Sequence, residues 1–184
     1  MNSPLLFVFT GTGGSGRKTV AHRLGGESGW RHVRSCTDRP PRRTDRPDRN
    51  YHYLTPDQFA AEQAAGGFVE TVEIGGCRYG IRRRELEEAL AEGRHVYLIL
   101  NPDGAETFKR LYGERVIRIF LYVDKRTLRE RLEEKGADYN VIERYLESYT
   151  DEVTYRNACE VVVQNLVLEE TLDRLREALK PCMA

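Results

Sequence analysis

An apolar run, Pro4–Thr10, ends in Gly11-Thr12-Gly13-Gly14-Ser15-Gly16-Arg17-Lys18-Thr19, and a helical pattern over Arg17–Ser28 follows with Val20, Ala21 and Leu24 on one face. Strand, glycine-rich turn and helix in this order leave few folds open. Four glycines within six residues let backbone N–H groups wrap an anion, and the helix N-terminus behind them aims its dipole at the same place. The segment nearly matches G-x-x-x-x-G-K-[ST], a polyphosphate-binding pattern. It departs from that pattern at two places. The lysine position holds Arg17, and the Ser/Thr position that ligates a metal holds Lys18, with Thr19 the nearest hydroxyl.

The rest of the chain alternates. Strands are expected at Tyr51–Leu54, Phe68–Val72, Arg78–Gly80, His95–Leu100, Val116–Val123 and Cys159–Gln164. Helices are expected at Pro56–Ala65, Arg83–Glu92, Pro102–Tyr112, Lys125–Glu134, Val141–Arg156 and Leu168–Leu179. Strand then helix, repeated, predicts an α/β fold with a parallel sheet and right-handed crossovers. Residues 35–50, rich in proline and arginine, read as a loop without periodicity. Residues 35–81 read as a small inserted substrate subdomain, with residues 1–34 and 82–184 forming the core.

Composition narrows the function. Lysine plus arginine and aspartate plus glutamate both number 29, which argues against a nucleic-acid partner. Apolar runs such as Leu5–Phe9 and Val96–Leu100 have strand length, which argues against a membrane partner. Cys36, Cys77, Cys159 and Cys182 form no paired motif and have no histidine cluster beside them, so reduced thiols and a cytoplasmic location are expected. Of the 29 cationic residues 24 are arginine, seven of them within residues 31–50, where a planar fork suits phosphate.

In order along the chain stand Ser35-Cys36-Thr37-Asp38-Arg39-Pro40-Pro41-Arg42, Asn50-Tyr51-His52-Tyr53, Gly67-Phe68-Val69-Glu70, Tyr79-Gly80-Ile81, Asn101-Pro102-Asp103-Gly104-Ala105 and Arg131-Leu132-Glu133-Glu134-Lys135-Gly136, with Arg144 further on. With the glycine-rich loop, these segments resemble the guanylate kinase family over nearly the whole chain. The resemblance implies a P-loop nucleoside monophosphate kinase fold, with a helical lid at about residues 125–145. It implies transfer of the γ-phosphoryl of ATP to GMP, with Mg²⁺ accompanying ATP.

The resemblance also implies roles for residues. ATP binding falls to Gly11, Gly13, Gly14, Ser15, Gly16, Arg17, Lys18 and Thr19, with Thr19 the candidate metal ligand. GMP binding falls to Ser35, Arg39, Arg42, Tyr51, Glu70, Tyr79, Ile81 and Asn101. Ser35, the two arginines and the two tyrosines would grip the monophosphate, and Glu70 would face the N1/N2 edge of guanine. Arg17, Lys18, Arg131 and Arg144 are the candidate catalytic cations. Ile81 stands where the family has Thr or Ser, Asn101 and Asn50 where it has aspartate, and Lys135 where it has arginine. These departures leave a second reading open, a module that binds GMP or a phosphorylated protein partner without turnover. A kinase for a different small acceptor is the third.

Overall fold

The computed structural model describes residues 3–42 and 47–183; Arg43, Asp45 and Arg46 of the arginine-rich stretch lie outside the described residues. Among the described residues, five parallel strands form the main sheet in the order β2 (Arg31–His32), β7 (Val96–Ile99), β1 (Leu6–Gly11), β8 (Val116–Tyr122), β9 (Val161–Gln164). Every residue of β1 is buried. Because successive side chains point to opposite faces, Phe7 and Phe9 enter one core layer with α1 (Arg17–Glu27) and α8 (Leu168–Met183), while Leu6 and Val8 enter another with α4 (Arg83–Ala91) and α5 (Pro102–Tyr112). Both faces are covered, which explains why β1 reads as an unbroken apolar run rather than an alternating one.

A second sheet runs β4 (Tyr51–Tyr53), β3 (Ser35–Thr37), β6 (Cys77–Arg82), β5 (Phe68–Ile74). α3 (Pro56–Ala64) packs on it through Phe59, stacked on Phe68 at 4.6 Å. α3 starts at a capping box: Thr55 Oγ1 accepts from Gln58 N, Gln58 Oε1 accepts from Thr55 N, and Pro56 fills the first helical position. The expectation of a loop over 35–50 is corrected here. Ser35–Thr37 is a buried strand paired on both sides, and Pro47–Asn50 forms a single helical turn, α2. Three residues carry too little pattern to announce a strand, and their burial comes from partners distant in sequence. The short β2 also falls below what periodicity reveals.

α6 (Lys125–Glu134) and α7 (Tyr139–Thr154) form an antiparallel pair around Leu128, Leu132 and Ile142, tied to the main sheet by the Tyr149 hydroxyl donating to the Val123 carbonyl at 2.8 Å.

All of this converges on the carboxyl end of β1. Gly11 has φ of 148°, and a Cβ there would sit 1.9 Å from the Leu121 carbonyl oxygen of β8. A backbone obstacle cannot rotate away as a flexible side chain can. Gly11→Ala is therefore expected to lower stability by at least about 2 kcal/mol, read as a lower midpoint of urea unfolding. An unchanged midpoint would mean that β1 and β8 are not held this close.

Candidate functional site

Between β1 and α1 the chain turns through Thr12–Gly16, with the Ser15 N–H donating to the Thr12 carbonyl and Gly16 standing as the left-handed N-cap of α1. The first N–H groups of a helix have no intrahelical acceptor, so this turn presents donors. Among the described residues, four buried side-chain atoms have no hydrogen-bond partner: Thr10 Oγ1, Thr12 Oγ1, Ser15 Oγ and Glu70 Oε2. Three belong to this turn or to the strand end that feeds it. Unpartnered buried oxygens are costly unless a ligand completes them.

The two cations after Gly16 diverge. Arg17 Nη1 donates to the Gly11 and Leu100 carbonyls at 3.2 and 3.3 Å, and so stays at the carboxyl ends of β1 and β7. Lys18 goes to the second sheet, its Nζ 4.6 Å from the centre of the Tyr51 ring. Thr19 is exposed.

The helical pair covers the turn. Were Gly13 to carry a Cβ it would lie 2.6 Å from the Tyr145 ring, and Gly14's would lie 2.5 Å from Leu128. The Gly13 N–H donates to Glu152 Oε2 at 2.7 Å, so a carboxylate from α7 occupies one of the loop's own anion-binding donors. Asn165, buried just after β9, donates through Nδ2 to the Ser15 carbonyl at 2.7 Å and accepts from the Thr171 hydroxyl. Arg131 Nη2 donates to the Asn165 and Leu166 carbonyls, which puts it one residue's contact away from the loop. Arg144 is exposed on α7, where the loop-facing residues are instead Tyr145 and Glu152.

On the second sheet, strand register sets Ser35 opposite both Tyr51 and Ile81. The Tyr51 ring lies 5.9 Å from those of Tyr53 and Tyr79. Arg39 Nε donates to the Tyr79 hydroxyl at 3.2 Å, and its guanidinium lies over the Tyr51 and Tyr53 rings at 5.5 and 5.8 Å. The segment carrying Arg39 is fixed from behind, since both Arg78 N and Arg78 Nε donate to Asp38 at 2.7 Å. Arg42 is exposed at the edge of the described segment. Ser35, Arg39, Tyr51 and Tyr79 thus gather at one place.

Glu70 is buried on β5, opposite Ile81. Its unpartnered Oε2 lies 3.4 Å from where a Gly104 Cβ would be, in the first turn of α5. Burial away from water pushes its pKa up to about 7. Ile81 is fully buried in the core layer under this sheet, with Leu86 and Leu98. Asn101 is the N-cap of α5, its Oδ1 accepting from Gly104 N at 3.0 Å.

Sequence reasoning missed several residues here: Glu152, Tyr145 and Asn165 around the turn, and His22 beside it. His22 Nε2 is 2.8 Å from Asn50 Oδ1 and its Nδ1 is 3.1 Å from the Tyr97 hydroxyl. With the Asn50 oxygen as acceptor, Nε2 carries the proton and Nδ1 accepts from Tyr97. Burial is the main cause lowering the pKa of His22, which keeps the ring neutral and preserves this arrangement. The Asn50 substitution, read in the sequence only as a lost carboxylate, here supplies the oxygen that orients His22.

The raised pKa of Glu70 has a consequence for stability. A carboxyl whose pKa rises on folding binds its proton more tightly in the folded chain. Relative to an exposed glutamate, its stabilising contribution is full below about pH 4.5 and is lost as pH climbs through about 7. Glu70→Gln is expected to be more stable than the parent at pH 8 by roughly 2–3 kcal/mol, with the difference closing at pH 5. Urea unfolding at the two pH values measures this; parallel stability curves would place Glu70 in contact with water.

The arrangement has counterparts among known proteins. The family model described as guanylate kinase matches residues 4–181. The guanylate kinase of Nitrosomonas europaea is 32% identical over 166 residues, covering 89% of this chain and 83% of that protein. The crystal structure of guanylate kinase from Anaplasma phagocytophilum superposes with a TM-score of 0.79 at 25% identity, covering 97% of this chain and 86% of the other. A shikimate kinase from Bacteroides thetaiotaomicron, at 16% identity and a TM-score of 0.53, shares the fold alone. With the family model spanning residues 4–181 and a relative at 32% identity over 89% of its length, this chain belongs to the guanylate kinase family.

Proposed function

We infer that the protein is a nucleoside monophosphate kinase that transfers the γ-phosphoryl of ATP to GMP, giving ADP and GDP. The observation that carries this reading is Glu70: a buried carboxylate with an unpartnered oxygen, on the same sheet as the Ser35, Arg39, Tyr51 and Tyr79 cluster. Guanine offers two adjacent donors, N1–H and N2–H, to such an oxygen pair, whereas adenine offers an acceptor at N1. The wrong base would leave a carboxylate desolvated and unpaired, which discriminates more strongly than a missing apolar contact. Ile81 supplies an apolar support and Asn101 fixes the start of α5 beside Glu70.

Ser35, Arg39, Tyr51 and Tyr79 hold the acceptor phosphate, joined by Arg42 as the nucleotide settles. Gly11, Gly13, Gly14, Ser15 and Gly16 present the backbone that cradles the donor phosphates. Arg17 and Arg131 supply positive charge where it develops, and Arg144 reaches the donor when the helical pair moves. Phosphoryl transfer needs no protein nucleophile; its barrier falls through alignment and charge stabilisation. Mg²⁺ enters with ATP. The chain's own donors do not build a metal site: Lys18 stands in place of the loop hydroxyl, Thr19 is exposed, and among the described residues no group of three or more His, Cys, Asp or Glu is placed to hold a metal.

An ADP-release assay with ATP and Mg²⁺ across GMP, dGMP, AMP, CMP and UMP tests the reading. Turnover with the guanine nucleotides alone is expected; GMP binding without ADP release would leave a binding module, and equal use of AMP would remove the guanine assignment. Arg39→Ala is expected to weaken GMP by about one to two decades in calorimetric titration. GMP affinity is further expected to fall as pH drops from 8 to 6, because Glu70 must be ionised to accept both guanine donors and its free pKa lies near 7.

Glu152 competes with the donor for the Gly13 amide. A site occupied by its own carboxylate binds ligand only in the fraction of molecules where that contact is open. Glu152→Ala is expected to lower KM for ATP by about 3- to 10-fold while leaving KM for GMP unchanged. A raised KM for ATP would instead make Glu152 part of the donor site.

A further inference from the structure

In a phosphate loop of this spacing, the residue after the loop cation carries a hydroxyl toward the donor phosphates. Here that residue is Lys18, and its direction is different. At the start of α1 the two neighbouring cations, Arg17 and Lys18, take different directions. Arg17 turns to the Gly11 and Leu100 carbonyls. Lys18 crosses to the second sheet, with its ammonium 4.6 Å from the centre of the Tyr51 ring. It lines a small cleft with Ser35, Asn50 and Tyr51.

Tyr51 also sits under the Arg39 guanidinium, and Arg39 holds the Tyr79 hydroxyl. Lys18 therefore shares its ring with the cation that anchors the acceptor cluster. It reaches that cluster from the phosphate loop, on the side from which the transferring group would come. An ammonium is a compact point charge with three donors and no preferred plane. It can hold a phosphate oxygen together with the Ser35 and Tyr51 hydroxyls, and its cation–π contact with Tyr51 keeps it aimed while the acceptor is absent.

We propose that Lys18 is an acceptor-phosphate ligand: the lysine that replaces the loop hydroxyl serves the monophosphate bound on the second sheet, not the donor nucleotide. The proposal rests on the kinase reading above and names one further residue of the same site. It makes acceptor binding, rather than donor binding, depend on this position of the phosphate loop. The two substrates' sites then share a helix turn, with one cation for each.

The test measures GMP, AMP, guanosine and ADP by calorimetric titration against the parent protein, Lys18→Met and Lys18→Arg. Lys18→Met is expected to weaken GMP by about 10- to 100-fold, to leave guanosine unchanged because it lacks the phosphate, and to leave ADP within about 2-fold. Lys18→Arg, which keeps the charge, is expected to recover most of the GMP affinity. An unfolded variant would lose guanosine and ADP as well, so retained binding of these two certifies the fold. Unchanged GMP affinity in Lys18→Met, or a loss for ADP as large as that for GMP, would overturn the proposal. The guanine assignment is read separately, in the parent protein's ratio of GMP to AMP. The Lys18 effect is read as monophosphate against nucleoside and does not depend on which base is preferred.

Discussion

The approach of β1 to β8 at Gly11 is the contact on which the site depends. The absent side chain lets the Leu121 carbonyl lie against the backbone, and the chain then leaves the sheet within about two residues of the ends of both flanking strands, β7 and β8. In open parallel sheets ligands gather at the carboxyl ends of strands, where loops diverge to opposite faces. Here the glycine-rich turn, the Leu100 carbonyl that receives Arg17 and the Asn101 cap of α5 all lie at that edge. The buried apolar run of β1 makes this edge rigid. A turn set on it starts from a fixed point of the sheet.

The polar part of the site is assembled by elements that do not depend on one another in sequence. The second sheet brings Ser35, Tyr51 and Tyr79 together by register, and the Asp38–Arg78 pair fixes the segment that carries Arg39. Glu70 sits on the same sheet, buried and without a partner for one oxygen, the feature on which the proposed guanine reading rests. Opposite, Asn165 braces the turn through the Ser15 carbonyl, and Glu152 fills the Gly13 amide. The turn thus has one amide taken by a carboxylate of its own chain, and the second sheet has one buried carboxylate oxygen without a partner.

Much of this was legible in the residues. The strand–turn–helix at Pro4–Ser28, the Pro56 start of α3, and the alternation of strands and helices beyond residue 82 follow from local pattern, because each is set by neighbours a few positions away. Glu70 and the Ser35–Arg42 segment were legible through their resemblance to a family, whose membership the comparisons establish. The strand Ser35–Thr37 was not, since three residues inside a proline- and arginine-rich stretch carry no periodicity of their own. Glu152 and Asn165 were not either: they meet the turn across 139 and 150 residues, and each looks from the sequence like an ordinary helix or strand-end residue. The direction of Lys18 lay in the same blind spot. Its spacing named its position in the loop, but only the folded chain shows which of two neighbours on a helix faces which sheet.

The central claim is that these two half-sites face each other across one reacting phosphoryl group. The most direct measurement follows the label from ATP carrying a marked γ-phosphoryl, incubated with the protein, Mg²⁺ and GMP, with products separated and counted. The account predicts that the label appears in GDP, with ADP formed in equal amount and no label in inorganic phosphate beyond the control without protein. Label that stays in ATP, or that is released as inorganic phosphate while GMP is recovered unchanged, would contradict it.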